Sequence, residues 1–401
     1  MKSIPYGRQQ ITEADIEAVV RVLKSDFLTQ GPAIAEFEKA FADYVGAEFA
    51  VAVSNGTAAL HLSALALDVN PGDKVITTPN TFAATANCIR FCGGEVVFSD
   101  IDPGNYCLDI QKVEQLLKES PTGTFKGIIP VDFAGFPVDM EAFRRLANQH
   151  GLWILEDACH APGAYFIDSA GRKQFCGNGN FADLAIFSFH PVKHIACGEG
   201  GMITTNDEKL CHRLLMLRTH GITKNAQAFQ NSIEVACGIQ PETSNFQPET
   251  FPGWYYEMQD LGFNYRLTDF QAALGNSQLK RADEGLRRRK EVARTYFEAL
   301  KGKPFIKGQS GVINGHAYHL YVIEVEDRKG LYEHLRANNI FAQIHYVPVH
   351  LMPYYGQYGW KAGDFPQAEK YYSQCISLPM YPTLTKEEQT FVVDKISEFY
   401  E

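Results

Sequence analysis

The residue of this sequence best suited to covalent chemistry is a lysine that follows a short apolar run. Lys193 comes after 184–189 (LAIFSF), which has the composition of a buried strand, and before the glycine-rich stretch 198–201 (GEGG). Its neighbours Val192 and Ile195 are apolar. Burial lowers the pKa of a lysine and favours the neutral amine, which forms Schiff bases with carbonyl compounds. The pattern therefore predicts a nucleophilic lysine in a tight turn beyond a strand.

An acidic pair ends a second apolar run. The segment 152–158 (LWILEDA) has strand character up to Glu156 and Asp157. Ligands of open α/β sheets bind beyond the carboxyl ends of the strands, so Asp157 is well placed to face a cofactor. Taken alone, such a pair is more typical of a helix cap or of a surface ion pair.

A third feature is typical of anion binding. The apolar run 49–53 is followed by Asn55, Gly56 and Thr57 and then by a helix-like segment. Unpaired backbone N–H groups at a helix N-terminus attract phosphate, and Gly56 permits close approach while Thr57 adds a hydroxyl. Many strand-to-helix turns share this composition, so the motif is weak by itself.

Together the three features supply what pyridoxal phosphate (PLP) requires of a protein. A lysine forms the Schiff base, a carboxylate pairs with the ring nitrogen, and a helix N-terminus with hydroxyl groups holds the phosphate. The sequence therefore predicts a PLP site built from Lys193, Asp157 and the turn at Gly56.

Alternating strand-like and helix-like segments position these residues. The pattern predicts a mainly parallel sheet covered on both faces, with strands near 49–53, 74–78, 95–98, 127–131, 152–156 and 184–189. Helices are expected near 12–24, 33–45, 57–67, 83–92 and 138–150.

Later segments depart from this alternation. Residues 222–253 are rich in Gln, Asn, Thr, Pro and Gly and predict a long surface excursion. Residues 268–300 predict a long helix linking two domains, and the rest of the chain predicts a smaller α+β domain. Its elements are expected as strands at 319–325 and 342–347 and helices near 329–338 and 385–400. The predicted division is 1–275, with the N-terminal arm and large domain, and 276–401.

Composition excludes several classes of function. The 401 residues carry a net charge of −10 without a long basic run, which argues against nucleic-acid binding. The sequence contains no stretch of about 18 apolar residues, so no membrane span is predicted. The nine cysteines form no paired CxxC framework, so no metal site is predicted, and their number fits a reducing cytoplasm.

Several motifs, taken in order along the chain, make a specific set. The sequence resembles the sugar-nucleotide aminotransferases of the DegT/DnrJ/EryC1 family, which have the aspartate-aminotransferase architecture known as PLP fold type I. The resemblance covers essentially the whole chain and is carried by 28–31 (LTQG), 55–57 (NGT), 78–82 (TPNTF), 156–160 (EDACH), 187–193 (FSFHPVK), 198–201 (GEGG) and 262–266 (GFNYR).

The resemblance implies a role for each matching residue. Lys193 would bind PLP covalently and move protons at the sugar C4, Asp157 would pair with the ring nitrogen, and His160 would lie near the ring or its phenolic oxygen. Other implied cofactor contacts are Gly56, Thr57, Phe82, Ser188, Asn264 and Arg266. Phe82 would stack on the ring, while Asn264 and Arg266 would reach the active site of the neighbour in a homodimer with shared sites. Alternative roles stay open for three of these residues: core packing for Phe82 and His160, and an ordinary ion pair for Arg266.

A narrower similarity points to the amination step of pseudaminic acid biosynthesis. It implies transfer of an amino group from L-glutamate, which leaves as 2-oxoglutarate, to C4 of a UDP-linked 4-keto-6-deoxy-N-acetyl sugar. The implied substrate-binding residues are Tyr6, Asp26, Phe27, Leu28, Thr29, Gln343, Ile344, His345 and Tyr346. The sequence departs from this subgroup at 194–197 (HIAC) and in the long 222–253 excursion, which leaves the particular sugar open.

Four alternatives stand beside this interpretation. One is a related aminotransferase acting on another UDP- or dTDP-linked keto sugar. Another is a PLP-dependent dehydratase, in which a histidine replaces the lysine, although Lys193 holds the expected register. The third is a metal hydrolase using His190, His194 and Asp157, against which Pro191 argues because it disfavours a helical pair. The last is a non-catalytic regulatory protein on the same fold.

Overall fold

A seven-stranded sheet forms the centre of the molecule. The structure, a computed structural model, describes residues 3–238 and 249–401. The strands of all sheets in the described part of the chain are β1 (Ile4–Pro5), β2 (Phe49–Val53), β3 (Lys74–Thr77), β4 (Glu95–Phe98), β5 (Phe125–Ile129), β6 (Trp153–Asp157), β7 (Tyr165–Ile167), β8 (Lys173–Phe175), β9 (Leu184–Ser188), β10 (Gly201–Thr205), β11 (Ile222–Thr223), β12 (Glu257–Met258), β13 (Ile306–Gln309), β14 (Tyr321–Val325), β15 (Ile340–Phe341) and β16 (Cys375–Leu378).

The helices surround this sheet and build the C-terminal part. They are α1 (Glu13–Leu23), α2 (Pro32–Val45), α3 (Gly56–Ala66), α4 (Ala83–Phe91), α5 (Ile110–Glu119), α6 (Met140–His150), α7 (Glu208–Leu217), α8 (Ile233–Ala236), α9 (Asp269–Leu279), α10 (Ala282–Leu300), α11 (Arg328–Ala337), α12 (Pro353–Gly356), α13 (Pro366–Gln374) and α14 (Lys386–Tyr400). In the described part of the chain, no helix combines the length and the apolar composition needed to cross a membrane.

The sheet has the order β2-β10-β9-β6-β5-β3-β4. All its strands run in the same direction except β10, which is antiparallel to both of its neighbours. The carboxyl ends of β2, β6 and β9 therefore lie at one edge of the sheet, where ligands bind in such folds. The predicted mainly parallel sheet is confirmed.

Both faces of the sheet are buried, because alternate residues enter different apolar clusters. Val51 and Val53 on β2 belong to one cluster, while Ala52 between them belongs to another. On β10, Ile203 belongs to the first of these clusters and Met202 to the second. This two-sided burial explains why the strands read as nearly continuous apolar runs in the sequence.

A three-stranded antiparallel sheet, β13-β14-β16, forms the C-terminal part together with α11 and α14. The N-terminal arm reaches this part, because Ile4 on β1 pairs with Ile340 on β15 and is buried in the C-terminal apolar cluster. The predicted division between residues 275 and 276 falls inside α9 and stays a prediction.

Two expectations about elements were wrong. The helix predicted over 268–300 is two helices, interrupted where Arg281 leaves the helical conformation and donates to Asp15 and to the Gln10 carbonyl. The strand predicted over 342–347 is absent, since β15 ends at Phe341 and beyond it only Gln343 forms a single bridge.

The predicted excursion is ordered over the residues that the structure describes. β11 and β12 pair antiparallel at its two ends. Between them the Phe229 ring packs 4.8 Å from Phe251 and 5.0 Å from Tyr255. Residues 239–248, which belong to the same prediction, lie outside the described part.

Candidate active site

Neighbouring strand ends bring the predicted catalytic groups together. Asp157 is the last residue of β6 and lies in register with Ile186 of β9, whose last residue is Ser188. Lys193 follows in the turn after β9, and its backbone N–H donates to the His190 carbonyl at 2.8 Å. The structure thus places Lys193, Asp157 and Ser188 at one edge of the sheet.

The N-terminus of α3 makes an anion-binding turn at the same edge. Asn55 is the N-cap, and its side chain accepts a hydrogen bond from the Ala58 backbone N–H at 2.8 Å. A Cβ at Gly56 would lie only 3.1 Å from the Ser188 Cβ, so glycine keeps this approach open. Thr57 is exposed and adds its hydroxyl to the turn. The first N–H groups of α3 remain directed at this space.

The Asp157 carboxylate is held by two donors. The Thr85 hydroxyl donates to Oδ2 at 2.7 Å, and the Cys159 backbone N–H donates to Oδ1 at 3.2 Å. Both donors fix the orientation of the carboxylate. Sequence reasoning missed Thr85, which lies 72 residues from Asp157 and is brought close by the packing of α4 on the sheet.

Burial lowers the pKa of Lys193, and the opposing influence of Cys159 and Asp157 does not cancel this effect. A lowered pKa increases the fraction of neutral amine at neutral pH. The structure therefore gives Lys193 the electrostatic state that Schiff-base formation requires.

His160 lies between a backbone donor and a phenol. Its Nδ1 lies 3.2 Å from the Ala134 backbone nitrogen, and its Nε2 lies 3.2 Å from the Tyr346 hydroxyl oxygen. Ala134 has φ of 59°, a left-handed conformation that costs a non-glycine residue about 1–3 kcal/mol. Strain of this kind in a buried turn marks a place where the backbone direction matters.

A further histidine that sequence analysis did not select, His319, lies beside His160 and His194. The His319 ring lies 4.2 Å from that of His160 and 5.7 Å from that of His194. Burial lowers the pKa of all three imidazoles, and the charge of Lys193 contributes to each shift. Neutral imidazoles therefore surround Lys193.

Several predicted substrate residues lie close to His160. The Tyr346 ring is 6.1 Å from the Phe82 ring, and the His345 ring is 5.3 Å from that of Tyr6. Phe82 is 61% exposed, unusual for a large aromatic side chain. Gln343 and Ile344 lie just before these residues, and the Gln343 backbone exchanges hydrogen bonds with Ser377 at 3.1 and 2.7 Å.

The loop between α1 and α2 is not brought to Lys193 within one chain. Its residues Asp26, Phe27, Leu28 and Thr29 are exposed. The loop is tied instead to the start of α9, where the Asp269 N–H donates to the Leu28 carbonyl.

The predicted cofactor residues near 264–266 run beside the phosphate turn of their own chain. Asn264 bridges to Thr219, and Arg266 bridges to Val53 at the end of β2. The Ser54 N–H also donates to the Tyr265 carbonyl at 2.8 Å. The backbone of residues 264–266 thus contacts the end of β2, just before the phosphate turn, within the same chain.

A buried acid pair lies behind the site. Asp132 and Glu156 are almost fully buried and accept from the backbone N–H groups of Val138 and Gly177, both at 3.0 Å. Burial raises the pKa of Asp132 to about 7 and that of Glu156 well above its usual range. One carboxylate oxygen of each residue lies within 4.8 Å of the other and of the Cys176 Sγ.

The residues considered for a metal hydrolase do not converge. His190 is exposed, and His194 Nε2 lies 3.0 Å from the Ala317 carbonyl. Asp157 is directed at Thr85 and Cys159 instead. This geometry does not support the hydrolase alternative.

The residues present fit PLP. The turn at Gly56 with Ser188 would hold the phosphate, Asp157 would pair with the ring nitrogen, and the exposed Phe82 ring would cover one face. Lys193, with its lowered pKa, would form the covalent link.

Known proteins are similar to this chain over nearly its whole length. Residues 9–397 match the model of the DegT/DnrJ/EryC1/StrS aminotransferase family. The spore coat polysaccharide biosynthesis protein SpsC of Bacillus subtilis is 37% identical, over 98% of this chain and 96% of that protein.

Solved structures of aminotransferases share the fold over nearly the whole chain. PseC of Helicobacter pylori, described as an aminotransferase involved in the biosynthesis of pseudoaminic acid, superposes with a TM-score of 0.85 at 29% identity, covering 100% of this chain and 99% of that one. The PLP form of the putative sugar aminotransferase Spr1654 of Streptococcus pneumoniae gives a TM-score of 0.85 at 26% identity, over 99% and 98% of the two chains.

These matches extend from the N-terminal arm to the last helix and agree with the predicted architecture and cofactor. The chain therefore belongs to the DegT/DnrJ/EryC1/StrS aminotransferase family, whose members are PLP-dependent sugar aminotransferases of fold type I.

Proposed function

We propose that this enzyme transfers an amino group from L-glutamate to C4 of a UDP-linked 4-keto-6-deoxy-N-acetyl sugar, forming UDP-4-amino-4,6-dideoxy-N-acetyl-β-L-altrosamine. The observation that carries amino transfer is Lys193, a partly buried lysine of lowered pKa near the doubly held carboxylate of Asp157. The likeness to PseC supports the particular sugar.

Bound PLP supplies an electron sink for the carbon that loses or gains a proton. Asp157 would pair with the ring nitrogen, because the Thr85 hydroxyl and the Cys159 amide orient its carboxylate. The turn at Gly56 with Ser188 would hold the phosphate end of the cofactor.

Lys193 moves the proton. Its lowered pKa lets the neutral amine accept a proton from the donor amino acid and return one to C4 of the sugar. The neutral imidazoles of His160, His194 and His319 place no further positive charge beside it.

A cationic cavity supports an anionic amino donor. A space of about 280 Å³ beside Lys193 is lined by Arg8, Arg281, Arg288 and Arg289, in a protein of net charge −10. Glutamate carries two carboxylates, and guanidinium groups pair well with carboxylates. Arg281 contacts Asp15, Arg288 contacts Glu291, and Arg289 donates to backbone carbonyls. Arg8 is therefore the arginine of this cavity best placed to contact the donor.

Residues of the arm and of the C-terminal part support a bulky second substrate. The Tyr6 carbonyl accepts from the Met380 N–H at 2.8 Å, which fixes the arm next to His345. A phenol, an imidazole and the Gln343 side chain offer polar contacts to a sugar or a diphosphate. Specificity among sugars depends on such hydroxyl-specific contacts.

We infer a homodimer with shared sites. Large apolar side chains are exposed in two regions, Phe27 and Leu28 in the α1–α2 loop and Trp254, Met258 and Leu261 near β12. Trp254 is 77% exposed, and exposed apolar patches of this kind mark interaction surfaces. A second copy covering them would carry Asp26 to Thr29, or Asn264, toward the neighbouring site.

Assays with a panel of nucleotide keto sugars test the proposal. Purified enzyme, PLP, glutamate and the UDP-linked L-arabino 4-keto sugar should yield 2-oxoglutarate and a 4-amino sugar in equal amounts. Lys193→Ala should abolish the product, whereas Lys39→Ala, which removes an exposed lysine of α2, should not. Turnover of another UDP- or dTDP-linked keto sugar in place of this one would refute the particular substrate while leaving amino transfer intact.

Subunit mixing tests the shared site. Lys193→Ala and Asn264→Ala homodimers should both be inactive, and their mixture should regain activity, because one site of each heterodimer is intact. No recovery after demonstrated subunit exchange would show that each site is built from one chain.

A further inference from the structure

The Ala134 backbone fixes the tautomer of His160. A backbone N–H can only donate, so His160 Nδ1, at 3.2 Å from the Ala134 nitrogen, must be an acceptor without a proton. Burial lowers the pKa of His160 and keeps the ring neutral. The single ring proton is therefore on Nε2.

This tautomer decides the direction of the next hydrogen bond. Nε2 lies 3.2 Å from the Tyr346 hydroxyl oxygen, so His160 donates and the phenol oxygen accepts. The hydroxyl hydrogen of Tyr346 must then be directed elsewhere. Over residues 3–238 and 249–401, the bond with His160 is the only hydrogen bond of this hydroxyl, which leaves its proton without a protein acceptor.

The turn that carries Ala134 is held from several sides. The Gly135 N–H donates to the Asp132 carbonyl at 3.0 Å, and the Asp132 carboxylate accepts from the Val138 N–H. The Leu320 N–H donates to the Ala134 carbonyl at 3.2 Å. These contacts maintain the strained φ of Ala134, and with it the direction of the N–H that meets His160.

The Tyr346 hydroxyl lies beside the space that a ligand would fill. Its ring lies 6.1 Å from the exposed ring of Phe82 and is nearly parallel to that of His160. Its hydrogen-bond partner His160 lies three residues after Asp157, the last residue of β6.

We propose that Tyr346 donates a hydrogen bond to an oxygen of the ligand bound beside Lys193, and that Ala134, acting through His160, is the positioning residue that sets the direction of this bond. The proposal rests on the proposed function, because the acceptor is then the phenolic oxygen of the cofactor or the C4 carbonyl oxygen of the sugar. Either oxygen carries negative charge during amino transfer and is stabilised by a fixed donor.

Nuclear magnetic resonance of protein containing ¹⁵N-labelled histidine tests the first step. The His160 resonance, assigned by its loss in His160→Gln, should show the neutral Nε2–H tautomer in the cofactor-free protein. A neutral Nδ1–H tautomer, or a charged ring at neutral pH, would overturn the assignment of donor and acceptor. This measurement needs neither cofactor nor sugar, so it stands even if the proposed substrate is wrong.

Tyr346→Phe tests the second step, with Tyr355→Phe as its control. Tyr355 is buried and its hydroxyl donates to Asn87 at 2.8 Å, so the control also loses one buried phenol hydroxyl. If the acceptor is the phenolic oxygen, Tyr346→Phe should shift the pH midpoint of the bound-cofactor absorption band by about one unit, the effect of a roughly tenfold change in equilibrium.

If the acceptor is the sugar oxygen, the absorption titration and the half-reaction with glutamate should be unchanged, and the half-reaction with the keto sugar should slow at least about tenfold. The two half-reactions are followed separately by the cofactor spectrum. Tyr346→Phe matching Tyr355→Phe in the absorption titration and in both half-reactions would overturn the proposal.

Discussion

Replacing Thr85 by valine should impair catalysis without much loss of fold. The substitution keeps the shape of the side chain and removes the hydroxyl that donates to Asp157 Oδ2 at 2.7 Å. Only the Cys159 amide would then hold this carboxylate, at 3.2 Å. The carboxylate would then be less well oriented toward the ring nitrogen.

The size of the effect follows from the kind of bond that is lost. A hydrogen bond to a charged group contributes about 1.5–3 kcal/mol. If all of it acts on the transition state, the rate falls roughly 10- to 150-fold. The assay is the half-reaction with glutamate, followed by the cofactor spectrum in a single turnover.

Thr81→Val is the matched control. The Thr81 hydroxyl lies 2.9 Å from that of Thr85, is equally buried, and does not contact Asp157. This variant loses a neutral hydrogen bond, worth about 0.5–1.5 kcal/mol of stability, and should keep its rate within about threefold. Equal rates in the two variants, at comparable melting temperatures, would refute the role of Thr85.

Two further predictions follow from the geometry. Gly56→Ala should weaken PLP binding at least about tenfold, measured by equilibrium dialysis, because the new Cβ meets Ser188 at 3.1 Å; unchanged affinity would show that the turn does not hold the phosphate. Because the pKa values of Asp132 and Glu156 are raised in the folded state, the folded protein binds more protons than the unfolded chain between pH about 4 and about 7. The free energy of unfolding should therefore fall as pH rises through this range. Glu156→Gln, which cannot ionise, should flatten this part of the stability profile in denaturant titrations, and a profile parallel to that of the wild type would contradict the raised pKa of Glu156.

A site residue could be predicted from the sequence when its side chain suits the chemistry and it also follows a recognisable strand-like run. Lys193 and Asp157 both follow apolar runs, and the strand ends that carry them prove to be adjacent. Gly56 follows a run of the same kind. Parallel strands buried on both faces appear in the sequence as nearly continuous apolar runs, so their carboxyl ends could be located from the sequence alone.

What the sequence did not predict depends on contacts between distant segments. Nothing local marks Thr85 as a partner of Asp157, or His319 as a neighbour of His160. Ala134 gives no signal either, because alanine is rarely chosen for a left-handed turn and only the surrounding contacts maintain it.

The incorrect helix prediction has a similar cause. The poor helix formers in residues 268–300, Gly275 and Gly285, lie inside the two helices, so no local residue marks the interruption. The break falls at Arg281, whose side chain contacts Asp15 of α1 at 2.6 Å, and propensity carries no information about that contact.

The central claim is that Lys193 carries the cofactor, and peptide mapping after borohydride reduction tests it most directly. The PLP-loaded enzyme should lose its visible absorption band on reduction, and mass spectrometry should find the reduced cofactor on the peptide that contains Lys193. The Lys193→Ala variant should carry no covalent label after the same treatment. A reduced cofactor attached to any other lysine of the wild-type enzyme would contradict the account.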